Sequence, residues 1–138
     1  MKKKITLMEA YLIETLRANE IEDEEIIEKV KEKKVKDFQH INEKFDFTAL
    51  YDLHEQGILE EVLKEGYEIK FLTFTGLVNL LRIKFNRHEN EDFKVKDYTI
   101  EQLQLDHQEL ETLQQLVSSN WQITKEASGI KIKPIASL

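Results

Sequence analysis

A mostly helical α+β fold is predicted for this chain, and three observations predict it. Apolar residues recur at three- and four-residue spacing in several separate stretches, which is the period of an amphipathic helix. Two short, partly alternating apolar runs, residues 58–63 and 67–72, flank Lys64-Glu65-Gly66, which is acceptable hairpin-turn chemistry. A second pair, residues 121–124 and 130–135, flanks Lys125-Glu126-Ala127-Ser128-Gly129 and predicts a C-terminal β-hairpin after a helix.

Thr6 caps a first helix in which Met8, Tyr11, Leu12 and Leu16 share one face. A second helix is expected over residues 23–34, where Ile26, Ile27 and Val30 make a narrow apolar stripe. Glu22-Asp23-Glu24-Glu25 precede Lys29, Lys31, Lys33, Lys34 and Lys36, the order a helix dipole favours, so these lysines read as a solvated face rather than a phosphate site. Phe38 and Ile41 mark a short third helix. Residues 45–48 form a turn, with Asp46 or Thr48 as N-cap, into a helix over residues 49–56 that a left-handed Gly57 ends.

Residues 58–63 and 67–72 read as a two-stranded hairpin. Thr73 or Thr75 then caps a helix with Leu77, Leu80, Leu81 and Phe85 on one side, followed by a polar loop over residues 86–92. Residues 93–98 are a short strand or an extended linker. Thr99 is expected to cap a long helix holding Leu103, Leu110, Leu113, Leu116 and Val117, and Trp121 and Pro134 sit at the start and near the end of the closing hairpin. This order divides the chain into a unit of residues 1–92 and an extension of residues 93–138, packed on it or used to form a homodimer through the C-terminal helix.

With 138 residues, 41% of them hydrophobic, the chain can build a real core. No apolar run is long enough to cross a bilayer, and Met1-Lys2-Lys3-Lys4-Ile5 lacks the apolar stretch and cleavage site of a signal peptide, so a cytoplasmic protein is expected. The absence of cysteine excludes disulfides, thiolate zinc sites and cysteine nucleophiles. Basic and acidic groups number 10 and 12 in residues 1–47, 7 and 10 in residues 48–99, and 3 and 5 in residues 100–138. No third of the chain is basic, and the net charge of −7 opposes non-specific attraction to nucleic-acid phosphates.

His40, His54, His88 and His107 never pair at the spacing that places two ligands on one helical face, and His107 beside Asp106, Glu109 and Glu111 reads as a solvated helix surface. The glycines are isolated, so no loop cradles phosphates, and no serine has a Gly-x-Ser-x-Gly setting. No catalytic residue, cofactor or metal site is predicted.

Leu50, Leu53, Gly57, Ile58 and Leu59, followed by Leu72-Thr73-Phe74-Thr75-Gly76, resemble the winged helix-turn-helix superfamily, its PadR-like and MarR-like modules in particular, over residues 37–85. Gly57 would let the chain reverse into the sheet, Thr73 would cap the next helix, and Gly76 would permit close packing. The resemblance implies a winged-helix-like fold with a two-stranded wing at residues 58–72. It implies a small non-enzymatic regulator that binds double-stranded DNA, with Lys44, Thr48, Tyr51, Lys64 and Lys70 at the helix and wing and Arg82, Lys84 and Arg87 on phosphates. The carboxylates Asp52 and Glu55 on the would-be recognition helix repel phosphates and point to the alternative. That alternative is a protein-interaction adaptor or inhibitor whose acidic residues Asp52, Glu55, Glu60 and Glu61 engage a basic protein partner, with Tyr51, Tyr67 or Phe74 exposed.

Overall fold

The computed structural model describes residues 3–135. Strand β1 (Lys3–Ile5) runs directly into helix α1 (Leu7–Ala18), whose start is fixed by a capping box: Thr6 accepts from the Glu9 N–H and the Glu9 carboxylate accepts from the Thr6 N–H. Ala10, Leu12, Ile13 and Leu16 are buried along α1, whereas Met8 points to water with 47% of its surface exposed. The expected apolar face is therefore rotated. Helix α2 (Asp23–Lys31) buries Ile26, Ile27 and Val30 as expected but stops three residues short of Lys34, where Lys33 turns left-handed at φ 57°.

A single 3₁₀ turn, Val35–Phe38, stands where the third helix was expected; Phe38 is buried, and Ile41 lies beyond the turn. Asp46 supplies the next N-cap, accepting from the Thr48 N–H, for a 3₁₀ turn (Phe47–Ala49) that continues into α3 (Leu50–Glu55). Gly57 has φ 76°, the left-handed conformation that ends the helix.

The hairpin expected over residues 58–72 is not formed. Leu59–Glu65 is instead helix α4, and Tyr67–Ile69 is strand β2, which pairs in parallel with β1 in the register Lys3↔Tyr67 and Ile5↔Ile69. Leu59, Val62 and Leu63 are spaced at i, i+3 and i+4, and all three are buried on one helical face. Glu60 and Glu61 in the first turn and Lys64 in the last suit the helix dipole. The paired apolar residues on either side of Glu60-Glu61 imitate a strand.

Thr73 caps α5 (Phe74–Phe85), which buries Leu77, Leu80, Leu81 and Phe85, and Asn86 ends it in a left-handed conformation. The two β–α units, β1–α1 and β2–α5, lie side by side. A Cβ on Gly76 would stand 2.6 Å from Leu7 Cδ2, the tip of a side chain that would have to swing aside, so the two helices start close together. Further along, Asn79 Nδ2 donates to the Tyr11 hydroxyl and Lys84 meets Glu14, so the helices run in the same direction.

The long helix expected from Thr99 is also corrected. Thr99–Leu103 is strand β4, paired with β3 (Lys94–Lys96), and the helix is the shorter α6 (His107–Leu116), begun by an Asp106–Glu109 capping box. Ile100 and Leu103 both face the core because a register shift, with Gln102 at φ 60°, separates them; a bulge thereby reproduces a helix-like three-residue spacing. The terminal hairpin, β5 (Trp121–Glu126) and β6 (Gly129–Pro134), is present, and the antiparallel sheet has the order β3-β4-β6-β5. Leu110, Leu113 and Leu116 of α6 join the chain's own core. Leu72 ties this region to the preceding one: its N–H donates to Ser118 Oγ at 3.0 Å and its carbonyl accepts from Trp121 Nε1 at 2.7 Å. Among the described residues no helix is long and apolar enough to cross a membrane.

Candidate functional site

Burial and pairing divide the residues that the sequence marks as nucleic-acid contacts. Lys44, Thr48, Lys64, Lys70 and Arg82 are exposed, on the 42–46 loop, the 3₁₀ turn, α4, the end of β2 and α5 respectively. Tyr51 is half-buried, and its hydroxyl accepts from the Val35 N–H at 3.4 Å. Lys84 instead sends its Nζ to Glu14 Oε1 at 2.9 Å. Arg87 donates to the Gln104 carbonyl at 2.7 Å and to Glu109 Oε1 at 2.8 Å, which ties the loop after α5 to the start of α6. Two of the three expected phosphate cations are thus matched by carboxylates of the chain itself.

Glu14 is the centre of a buried cluster that the sequence did not reveal. Its side chain is 2% exposed and accepts from Tyr67 Oη at 2.6 Å, Arg17 at 3.2 Å and Lys84 at 2.9 Å. Arg17 also donates to Asp23 at 3.0 Å and to the Leu63 carbonyl at 2.8 Å. Burial raises the Tyr67 phenol well above its usual range, and the Glu14 charge and hydrogen bond raise it further. Burial alone would lower the Arg17 guanidinium, but the Asp23 hydrogen bond and the Glu14 and Asp23 charges outweigh it and raise the pKa. Every polar group here is satisfied, so the cluster joins α1, α2, α4, β2 and α5 and presents no reactive group. Tyr67 is 4% exposed and is therefore not the surface aromatic expected.

The acidic residues expected to meet a partner fall into two places. Asp52 and Glu55 line a cleft of about 390 Å³ shared with Glu9, Lys4 and Lys70, where opposite charges nearly balance. Glu60 belongs to a different groove, of about 400 Å³, between α2 and α4. Its walls carry Glu24, Glu28, Glu32 and Glu60 against Lys31 and Lys64, with Ile27 between them. Lys31 Nζ reaches Glu60 Oε1 at 3.0 Å, and that hydrogen bond and charge hold the Glu60 carboxyl below its ordinary range. Glu61 is half-buried on α4 outside this groove. Glu24, read from the sequence only as part of the acidic run at the start of α2, and Glu28 are not among the expected partner contacts, although their four-residue spacing, continued by Glu32, is a helical stripe. Residues 22–65 as a whole contain 14 acidic and 7 basic groups, a difference equal to the net charge of the entire chain.

Among the described residues, no group of three or more histidines and carboxylates is placed to hold a metal. Around His107, Asp106 caps α6, Glu109 bonds Arg87, and Glu111 lies 3.0 Å from the imidazole. No protein-family model, curated protein or solved structure matches this chain.

Proposed function

We propose that this chain is a non-enzymatic interaction module that takes a basic segment of a partner protein into the groove between α2 and α4. The observation that carries this reading is the stripe Glu24, Glu28 and Glu32 facing Glu60 across Ile27. Among the described residues Glu24 and Glu28 make no ion pair, while Glu32 and Glu60 hold Lys34 and Lys31 in exposed pairs that a partner's lysine or arginine can displace, and the apolar floor adds contact area that pure charge attraction lacks. The surrounding excess of acidic groups in residues 22–65 would speed encounter with such a partner.

A second reading, a DNA-binding regulator related to winged helix-turn-helix proteins, is supported by Gly57 ending α3, by Thr73 capping ahead of Gly76, and by the exposed cations Lys44, Lys64, Lys70 and Arg82. It lacks the wing and two of its three expected phosphate cations.

Fluorescence anisotropy separates the two. A labelled lysine- and arginine-rich peptide and a labelled random duplex are titrated at low salt and again as salt is raised. The expected result is salt-sensitive binding of the peptide that Glu24→Lys together with Glu28→Lys abolishes, and no binding of the duplex. Salt-sensitive binding of the duplex with none of the peptide would overturn the proposal in favour of DNA.

A further inference from the structure

Among the described residues, the cleft between the C-terminal ends of α1 and α5 has basic side chains in its walls and no acidic one, although the chain as a whole carries a net charge of −7. Its volume, about 700 Å³, is that of a small-molecule site. The ionisable lining residues are Arg82, Lys84 and His88. Glu14 fixes and neutralises Lys84. Arg82 differs: its guanidinium donates to Asn79 Oδ1 at 3.4 Å and, among the described residues, makes no ion pair. An uncompensated guanidinium at the mouth of a cleft attracts an anion, and its planar fork suits phosphate or carboxylate oxygens.

The same cleft offers a flat apolar wall. Phe45 is held by stacking on Tyr11, with ring centroids 6.3 Å apart and planes 6° apart, and by an edge contact with Phe47 at 6.2 Å. Ile41 and Ile83 continue that surface. Asn19 and Asn86, the C-caps of α1 and α5, also line it, so the carbonyl ends and the negative dipole ends of two helices border the cleft. These ends repel an anion and welcome hydrogen-bond donors, which leaves the anion to Arg82. The ligand that satisfies all three demands has an anionic group, a planar ring, and N–H donors on the ring.

We propose that the α1–α5 cleft binds a mononucleotide, its phosphate on Arg82, its base against Phe45, and the base's amino group on Asn19 Oδ1, since Asn19 Nδ2 already donates to the Thr15 carbonyl, Asn86 Oδ1 meets His88 Nε2 and Asn42 Oδ1 accepts from the Lys44 N–H. This inference does not depend on the α2–α4 groove. It is tested by amide NMR of the full chain titrated separately with AMP, GMP, CMP, UMP, adenosine and inorganic phosphate. At least one mononucleotide is expected to shift the signals of Asn19, Asn42, Ile83 and Asn86. Adenosine and inorganic phosphate should move these signals at least about tenfold more weakly than AMP or the best nucleotide, and Arg82→Gln, an exposed substitution, should lower nucleotide affinity about tenfold or more, as loss of a charge-assisted bond implies. The proposal is overturned if no mononucleotide moves these signals at millimolar concentration. It is equally overturned if the Arg82→Gln protein binds as the parent does, or if inorganic phosphate binds as tightly as the best nucleotide.

Discussion

Glu14 and Glu60 are both helical glutamates that meet a lysine, yet they stand in opposite environments. Glu14 is 2% exposed and accepts from Tyr67, Arg17 and Lys84, while Glu60 and its partner Lys31 are 53% and 52% exposed. A carboxylate removed from water must have its charge and lone pairs fully matched, and removing one member of such a set leaves the others uncompensated. An exposed pair keeps its hydration, contributes little to stability, and is free to exchange its partner for another molecule. Burial, rather than residue type, therefore separates the charges that hold this fold from those available for recognition. Lys84 illustrates the point: the sequence marked it as a phosphate contact, and the fold uses it to neutralise Glu14.

The most severe way to break this contrast is Glu14→Ala, which strands Lys84 and the Tyr67 hydroxyl and leaves Arg17 with Asp23 and the Leu63 carbonyl alone. A loss of about 3–5 kcal/mol is expected in urea unfolding. A loss under about 1 kcal/mol, the range of exposed pairs, would show that the cluster is solvated and that the contrast is false.

Tyr67→Phe is expected to cost about 1.5–3 kcal/mol at neutral pH, the worth of a hydrogen bond to a charged group. It also sharpens the contrast through pH. Because the folded chain raises the Tyr67 phenol above its usual value of 10.0, the contribution of this group is intact below that pH. It is lost as the pH rises from there toward the folded-state value. Urea midpoints measured across the alkaline range should fall for the parent and flatten for Tyr67→Phe.

In the groove, Glu24→Lys with Glu28→Lys should change stability by no more than about 0.5 kcal/mol per site, as exposed substitutions do. The same double change should abolish binding of the basic peptide. A large drop in urea midpoint would place these residues with Glu14 as scaffolding. The smallest effect is expected from Asp37→Asn, which removes the 2.6 Å pair with Lys29. Lys29 holds the Asp37 carboxyl below its ordinary range through that hydrogen bond and its charge, but the group is exposed, and the thermal midpoint should not move measurably. A shift approaching that of Tyr67→Phe would mean that geometry matters more than exposure in this chain.

What could be read from the sequence is what lies within a turn of a named residue. Thr6, Thr73 and Gly57 mark the ends of their elements, Ile26, Ile27 and Val30 mark the buried face of α2, and the terminal hairpin follows from its turn. The periodicity of residues 58–63 admitted two readings, and its i, i+3, i+4 spacing was the one that the fold used. Residues 99–103 misled for the converse reason, since the register shift between Ile100 and Leu103 gives a strand the spacing of a helix. The candidate groove was only half legible: Glu60 stood out, but Glu24 and Glu28 joined it only when α2 and α4 packed side by side.

By itself, then, the sequence determined most of the caps, most helix faces, the cysteine-free chemistry and the acidic balance, because each depends on neighbours a few residues away or on composition alone. Only the tertiary structure decided that β2 pairs with β1 across more than sixty residues, that Glu14 withdraws Lys84 from the surface, and that Arg82 faces Phe45's cleft with no ion pair among the described residues. Such outcomes depend on which distant groups share a desolvated space, and no local pattern of residues encodes that distance.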